Sequence, residues 1–367
     1  MVTWGERMKN ILLTPGPATT TETVKQALTV PDMWTRHKDF EKLMKSVRHD
    51  LVKIADGDDN YTCVLFAGSG TAVMEAAILS LHPTNRALIV TNGTYGERFC
   101  KIAERFGVDF IELKFKYGEK IDLSKIAIAL DSGMFSHLFV THNETTTGIL
   151  NDIKGIGKLA KDANVKFIVD SISSFAGVPF SVRDCNIDIA LGTSVKCIQG
   201  MAGIAFVICK KDYLDKHERH PSFYSNLYEQ YRSLEDTGQS QFTIPVQIMY
   251  ALKQAIDEFF EEGAHERYMR YSKSHRRLIE GMKSKDFKRF LSDDVAHSHL
   301  IETFYYLDHP NFDYDIFRDK LYEKGYTIYA SSIPNTFRIC NIGAINSVDM
   351  SSFLLSMNLV LEEMKCL

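Results

Sequence analysis

The stretch that decides the fold runs from residue 167 to residue 204 and reads FIVDSISSFAGVPFSVRDCNIDIALGTSVKCIQGMAGI. It begins with an apolar, β-branched run that ends in Asp170, the pattern of a buried parallel strand with a carboxylate at its C-terminal end. A second apolar run, from Ile189, ends in small hydroxyl residues followed by Lys196. Parallel strands end at one edge of their sheet, so we expect the carboxylate and the amine to face one crevice.

The combination of Asp170 and Lys196 suits one kind of cofactor chemistry. A lysine in a dry pocket of small residues loses proton affinity and can form a Schiff base with an aldehyde. A buried aspartate can keep the nitrogen of a pyridine ring protonated. Taken singly, such residues are more often a solvated lysine and a helix-capping aspartate. Their joint placement predicts a pyridoxal phosphate site.

The composition indicates a globular protein that acts on small molecules. The chain has 367 residues, a net charge of -4 and 25% charged residues of both signs, which gives no basic stripe for nucleic acid and no polybasic membrane patch. Seven cysteines form no CxxC pair, so neither a disulfide framework nor a metal site is expected. The N-terminus lacks signal-peptide order and no apolar stretch is long enough to span a membrane, which predicts a cytoplasmic protein.

Short apolar runs alternate with amphipathic helical patterns from about residue 62 to about residue 209. This order predicts a doubly wound, mostly parallel α/β domain. We expect an N-terminal arm at residues 1–20, a large domain at 21–262 and a smaller domain at 263–367. Residues 213–238 show little periodicity and are predicted to be an insertion over a site or a subunit interface.

A glycine-hydroxyl turn follows the first of these predicted strands. Residues 68–71 read GSGT and lead into a helix, an arrangement that suits a phosphate because free backbone N–H groups and the helix dipole attract an anion. Such a turn alone is weak evidence. The GxGxxG spacing of a dinucleotide site and the GK[ST] ending of a P-loop are both absent, which weighs against a nucleotide.

Two further residues are candidates for ligand contacts. Tyr95 follows the predicted strand at 87–91 and could stack on a planar ring, although a tyrosine packed in the core is an equal alternative. Arg338 lies in a strand-like run and suits a bidentate grip on a carboxylate or phosphonate, the alternative being a surface ion pair.

Together these segments resemble the class V branch of the aspartate-aminotransferase fold of pyridoxal-phosphate enzymes, and within it the 2-aminoethylphosphonate–pyruvate transaminases. The resemblance covers nearly the whole chain. It implies a large domain with a mostly parallel seven-stranded sheet wound by helices, and a smaller α+β C-terminal domain. The segments that carry it are LTPGP (13–17), GSGT (68–71), ETTTG (144–148), DSISSF (170–175), KCIQG (196–200) and FRICNIG (337–343).

The resemblance also implies which residues hold pyridoxal 5′-phosphate. Lys196 would be the Schiff-base lysine and Asp170 the partner of the ring nitrogen. The residues that would contact the phosphate are Ser69, Gly70, Thr71 and, from the neighbouring subunit of a homodimer with shared active sites, Thr243.

Four more contacts follow from the same resemblance. Tyr95 would stack on the cofactor ring and Thr145 would lie near its 3′ oxygen. Arg338 and Gly16 would bind the substrate, with Arg338 on its acid group. The implied reaction moves the amino group of 2-aminoethylphosphonate to pyruvate and gives phosphonoacetaldehyde and L-alanine, or runs in reverse.

Other functions remain open at this point. An alanine–glyoxylate or serine–glyoxylate aminotransferase would use every cofactor residue named above. A cysteine-desulfurase-type lyase needs a nucleophilic cysteine on a mobile loop, and the strand-like setting of Cys340 argues against it. A nicotinamide-binding dehydrogenase would leave Lys196 without a role. The chain departs from its relatives at Val195, where they often carry Asn or Gln, and at Cys340–Asn341, where a glycine is usual.

Overall fold

The computed structural model describes residues 10–214 and 221–367. Within these residues the helices are α1 (Glu22–Gln26), α2 (Lys38–Ile54), α3 (Gly70–Leu79), α4 (Thr94–Phe106), α5 (Leu123–Asp131), α6 (Ile153–Asp162), α7 (Lys211–Leu214), α8 (Leu227–Thr237), α9 (Val246–Glu262), α10 (Ala264–Lys283), α11 (Tyr314–Glu323) and α12 (Ser347–Glu363). The strands are β1 (Ile11–Leu12), β2 (Tyr61–Gly68), β3 (Ala87–Thr91), β4 (Phe110–Lys114), β5 (His137–Thr141), β6 (Asn143–Glu144), β7 (Ile149–Leu150), β8 (Lys166–Asp170), β9 (Ile189–Thr193), β10 (Gly203–Lys210), β11 (Ile301–Tyr305), β12 (Tyr326–Thr327), β13 (Tyr329–Ala330) and β14 (Thr336–Cys340).

Seven of the described strands form the central sheet, in the order β2-β10-β9-β8-β5-β3-β4. Only β10 is antiparallel to its neighbours within this sheet, because the connection from β9 is too short to hold a crossover helix. The sheet is therefore mostly parallel, as predicted. Since β2, β3, β5, β8 and β9 all run the same way, their C-terminal ends lie at one edge, and Gly68, Asp170 and Thr193 end three of them.

The central strands are buried on both faces, which explains their near-continuous apolar sequences. Every residue of β3, β5 and β9 is buried. The helices on the two sides of the sheet complete one large core, whose buried members run from Phe40 to Phe259 along the chain.

A second core belongs to the C-terminal part of the chain. It is built on the sheet β11-β14-β13 and on α10, α11 and α12, an α+β arrangement as predicted. Ile11 and Leu13 of the predicted arm are buried in this core, and β1 pairs in parallel with β12. The arm therefore packs against the last hundred residues of the chain; its residues 1–9 lie outside the described part.

The structure shows a helix that the sequence pattern did not indicate. The region at 213–238 contains α8, which begins after the capping side chain of Asn226 and ends at Gly238 with φ 72°. Its inward face includes Gln230, whose amide donates to the carbonyl of Leu65 at 2.7 Å, so the apolar spacing is interrupted by a polar residue. Residues 215–220 of that region lie outside the described part. In the described residues, the helices all fall short of the length or hydropathy that crossing a bilayer requires.

Candidate active site

A cavity of about 680 Å³ lies at the edge where the parallel strands end. Its walls come from the turns after β2, β3 and β9, from the arm at Pro15–Pro17, and from β13 and β14 of the C-terminal part. Seven of the predicted site residues line it: Gly16, Ser69, Gly70, Thr71, Tyr95, Lys196 and Arg338.

Lys196 lies in the turn that follows β9. Its Nζ is 5.6 Å from the centre of the Tyr95 ring, so the amine and the aromatic face share one part of the cavity. The arm covers the stem of the lysine: a Cβ added to Gly16 would lie 3.4 Å from Lys196 Cε, and Gly16 has φ 140°, which side chains rarely adopt. Glycine at this position lets the arm approach the lysine closely.

Asp170 ends β8 behind the cavity wall and is only 3% exposed. Its Oδ1 accepts a hydrogen bond of 2.9 Å from the amide of Ile172. Burial raises the pKa of this carboxyl, while the Ile172 amide and the positive charges of Lys196 and Arg98 act in the opposite direction. A further cation facing this buried carboxylate would stabilise its charged form.

The GSGT turn leads from β2 into the N-terminus of α3, and its contact with a phosphate stays a prediction. Ser69 caps the N-terminus of α3 without a capping hydrogen bond from its side chain, so its hydroxyl is available to a ligand. Thr71, in the first turn, accepts a hydrogen bond of 3.3 Å from Arg98 Nη1 on its hydroxyl oxygen. Free N–H groups at a helix start and two hydroxyl groups together are suited to an anion.

Arg338 is buried on β14 and 6% exposed. Its Nη1 and Nη2 donate to the carbonyls of Thr145 and Ala330, both at 3.1 Å, and Nε is buried without a partner among the described residues. Its guanidinium lies 5.0 Å from the centre of the Tyr329 ring. The surface ion pair that the sequence left open is not formed: within the described ranges, no carboxylate pairs with this arginine. The guanidinium is a buried cation whose charge no carboxylate of residues 10–214 and 221–367 pairs with.

Hydrogen bonds to Glu144 connect the segment that carries Tyr95 with the loop that contacts Arg338. This fully buried carboxylate accepts hydrogen bonds from the amides of Tyr95 and Gly96 at the start of α4, and from the amide and hydroxyl of Thr146. Burial raises its pKa, and the hydrogen bonds from Thr146 and Gly96 oppose that shift. Glu144 thereby ties the aromatic wall to the loop whose Thr145 carbonyl holds Arg338.

Two predicted residues are placed differently from the others. Thr145 is buried, with a hydroxyl that lacks a partner among the described residues, and it is the neighbouring Thr146 that lines the cavity. Thr243 is exposed just before α9 and does not line the cavity of its own chain.

Further buried polar atoms without a partner among the described residues lie at the end of β5, where Thr141 is the register partner of Asp170, and in the residues that follow. They are Thr141 Oγ1, His142 Nδ1 and both side-chain polar atoms of Asn143. The amide of His142 donates to the carbonyl of Asp170 at 2.9 Å, and burial lowers the pKa of the His142 imidazole to about 3.

Sequence reasoning missed several residues of the cavity wall. Arg98, one turn after Tyr95 on α4, places its guanidinium 4.7 Å from the centre of the Tyr95 ring. Thr94 and Ser332 meet through their hydroxyl oxygens at 3.2 Å, which joins the start of α4 to the C-terminal part. The i, i+3 spacing of Tyr95 and Arg98 was a usable signal, whereas nothing in the sequence places Ser332 beside Thr94.

The setting of Cys340 bears on the desulfurase-type lyase role. This residue is buried in β14, and burial raises the pKa of its thiol to about 12. A thiol in that state is a poor nucleophile at neutral pH, and Cys340 is the buried last residue of a strand and not part of a mobile loop. The desulfurase-type role is therefore not supported.

Comparison with known proteins agrees with the architecture. A 2-aminoethylphosphonate–pyruvate transaminase of Phocaeicola vulgatus is 39% identical over 350 residues, which is 93% of this chain and 96% of the relative. One from Klebsiella pneumoniae is 37% identical over 352 residues, 94% of this chain and 95% of the relative.

Solved structures confirm the aspartate-aminotransferase-like fold. The ureidoglycine–glyoxylate aminotransferase of Bacillus subtilis has a TM-score of 0.90 at 23% identity and covers 98% of this chain and 95% of its own. The alanine–glyoxylate aminotransferase of Nostoc has a TM-score of 0.91 at 22% identity and covers 98% of this chain and 97% of its own. The family model described as "Aminotransferase class-V" matches residues 20–310. The chain belongs to the class-V aminotransferase family.

Proposed function

We propose that this protein is a pyridoxal-phosphate-dependent transaminase that moves the amino group of 2-aminoethylphosphonate to pyruvate. The observation that carries the proposal is the buried guanidinium of Arg338, without a counter-ion among the described residues, on the wall of the cavity that also holds Lys196. Both proposed substrates carry an acid group and either an amine or a carbonyl. The similarity to relatives named for this reaction, over more than nine-tenths of the chain, supports the same assignment.

The residues present fit pyridoxal phosphate. Lys196 would hold its aldehyde carbon, and the buried carboxylate of Asp170 would accept a hydrogen bond from its protonated ring nitrogen. Ser69, Gly70 and Thr71 offer a helix N-terminus and hydroxyl groups to the phosphate. The Tyr95 ring, which lines the cavity near Lys196 Nζ, would pack on the pyridine ring, and the unpartnered hydroxyl of Thr145 is the proposed contact of the 3′ oxygen.

When bound, the cofactor supplies an electron sink for the carbon that loses a proton. Asp170 keeps that sink effective, because a buried carboxylate favours the protonated ring nitrogen. Lys196, once the amine of the substrate has replaced it, accepts the proton from the amine-bearing carbon.

Arg338 holds the acid group of the substrate and so orients that carbon. Aminoethylphosphonate has no α-carboxylate, so its phosphonate and the carboxylate of pyruvate would use the same guanidinium in alternate half-reactions. Gly16, which lines the same cavity and lies against the stem of Lys196, is the proposed backbone contact of the substrate on the side of the arm.

An amino-donor screen against pyruvate tests this function. We expect alanine to form with aminoethylphosphonate, and little or none with β-alanine or taurine. β-Alanine is a matched control because it replaces the phosphonate by a carboxylate at the same position. If alanine or serine with glyoxylate is instead the productive pair, the protein is the alternative glyoxylate aminotransferase and the phosphonate assignment is refuted.

The active site is proposed to be shared between two copies of the chain. The aromatic residues Phe223, Tyr224 and Phe242 form a cluster beside the cavity: the ring centre of Phe242 lies 5.5 Å from that of Phe223 and 5.0 Å from that of Tyr224, and Phe223 is 81% exposed. The Tyr224 hydroxyl donates to the carbonyl of Ala67, next to the phosphate cradle. A second copy packed on this surface would bury it and could bring its exposed Thr243 to the phosphate. Sedimentation analysis of Phe223→Lys should show monomers; an unchanged dimer would place the interface elsewhere.

The division into an arm (1–20), a large domain (21–262) and a small domain (263–367) also stays a proposal, supported by the separation of the two largest buried cores. A cytoplasmic location remains a prediction from the sequence.

A further inference from the structure

Within the part of the chain that the structure describes, three cationic side chains line the cavity: Arg98, Lys196 and Arg338. Lys196 is assigned to the aldehyde carbon of the cofactor and Arg338 to the acid group of the substrate. Neither assignment neutralises the phosphate of the cofactor, which carries up to two negative charges. Arg98 is the cation that remains without a role.

Arg98 contacts two residues of the proposed cofactor site. Its Nη1 donates to Thr71 Oγ1 at 3.3 Å, and its guanidinium lies 4.7 Å from the centre of the Tyr95 ring. Stacking on the ring restricts the guanidinium plane, and the hydrogen bond fixes one edge of it beside the cradle. The arginine is thereby held between the aromatic wall and the start of α3.

No acid in the described part of the chain neutralises the charge of Arg98 through an ion pair. Among the ion pairs of the described residues, none includes it, although its helix neighbour Glu97 pairs with Lys114 at 2.9 Å. The cradle itself supplies only neutral donors, namely backbone N–H groups and the hydroxyls of Ser69 and Thr71. An arginine beside such a cradle adds the charge that the cradle lacks.

We propose that Arg98 is a positioning residue for the phosphate group of the cofactor. Its guanidinium balances the phosphate charge from the side of Tyr95. Its hydrogen bond to Thr71 occupies a lone pair of the hydroxyl oxygen, which leaves the hydroxyl hydrogen free to point towards a phosphate oxygen. The inference rests on the proposed cofactor and not on the identity of the substrate.

Cofactor titration of the apoenzyme tests the assignment, with pyridoxal 5′-phosphate and with pyridoxal, which lacks the phosphate. For Arg98→Gln we expect the dissociation constant for pyridoxal phosphate to rise roughly ten- to a hundredfold, the range for loss of a charge-assisted hydrogen bond. The constant for pyridoxal should change by less than about twofold, because the lost interaction involves only the phosphate. Arg98→Lys, which keeps the charge, should recover part of the loss.

Arg105→Gln is the matched control, because it removes an arginine from the exposed last turn of the same helix. It should leave both constants unchanged. An equal loss of affinity for pyridoxal phosphate and for pyridoxal in Arg98→Gln, or in Arg98→Lys if the first variant does not fold, would refute the proposal. Arg98 would then serve only to hold the Tyr95 ring in place. Unchanged cofactor affinity together with a raised KM for aminoethylphosphonate would also refute the proposal, because it would show that Arg98 contacts the substrate and not the cofactor phosphate. If Arg98→Gln loses affinity for pyridoxal phosphate alone and the wild-type protein does not transfer amino groups, the role of Arg98 is upheld and the proposed function is rejected.

Discussion

Replacing Gly93 by alanine should break the contact through which Glu144 holds the first turn of α4. A Cβ at this position would lie 2.3 Å from Cγ and Cδ of Glu144. Carbon atoms in contact are about 3.5–4.0 Å apart, so the carboxylate must move by more than about 1 Å. Gly93 has φ 177°, an extended conformation open to any residue, and the effect is therefore steric.

The magnitude follows from the hydrogen bonds that this movement breaks. Glu144 Oε2 accepts from the amides of Tyr95 at 3.0 Å and Gly96 at 3.2 Å. A hydrogen bond to a charged group contributes about 1.5–3 kcal/mol, so loss of both bonds should lower the free energy of unfolding by about 3–6 kcal/mol. Tyr95 would lose its fixed position as well, which should weaken cofactor binding.

Gly107→Ala is the control at the other end of the same helix. Gly107 has φ 67° and no atom within 4 Å of an added Cβ, so the substitution should cost only about 1–2 kcal/mol of backbone strain and leave the site intact. Urea unfolding of the apoenzymes and cofactor titration would measure both effects. Equal stability of the two variants, with wild-type cofactor affinity in Gly93→Ala, would refute the role given to Glu144.

Four further predictions concern single side chains. Lys196→Ala should leave no cofactor attached to the protein after borohydride reduction and denaturation; attached cofactor would exclude this lysine. Asp170→Asn should lower kcat by about a hundredfold or more, since it removes the charge that holds the ring nitrogen protonated; an unchanged kcat would contradict that role. Arg338→Lys should lower kcat/KM for both aminoethylphosphonate and pyruvate by roughly tenfold or more and leave cofactor affinity unchanged, because lysine cannot make the bidentate contact. A loss confined to one substrate would show that the two substrates do not share this arginine. The hydrogen bond that His297 donates to the carboxylate of Glu302 raises the pKa of the imidazole. Its stabilising contribution is therefore fully present below the ordinary histidine pKa of about 6.5 and is lost as pH rises through the higher folded pKa. His297→Gln should flatten the fall in unfolding temperature above about pH 6.5, and parallel profiles of the two proteins would contradict this role.

The sequence was most informative where buried parallel strands end. The apolar runs before Asp170 and Lys196 could be identified because strands covered on both faces have no polar positions until they leave the sheet. The same reasoning placed the turn at Ser69 on that edge. These positions follow from strand order alone; in the structure Ser69 and Lys196 line one cavity, and Asp170 is buried behind its wall.

Contacts that depend on a side chain's direction were not predictable in this way. Thr145 and Thr146 differ by one position in a tight turn, and only the backbone course shows which of them faces the cavity. Arg98 reaches the cradle because it folds back over Tyr95. The parallel pairing of β1 with β12 joins residues more than three hundred positions apart through two residues on each side, too few for a sequence pattern.

A half-reaction without an acceptor tests the central claim most directly. Cofactor-loaded enzyme mixed with excess aminoethylphosphonate and no pyruvate should release one equivalent of phosphonoacetaldehyde per active site and then stop. Addition of pyruvate to the separated protein should yield one equivalent of alanine. Absence of phosphonoacetaldehyde, or its continued release without an acceptor, would contradict the account.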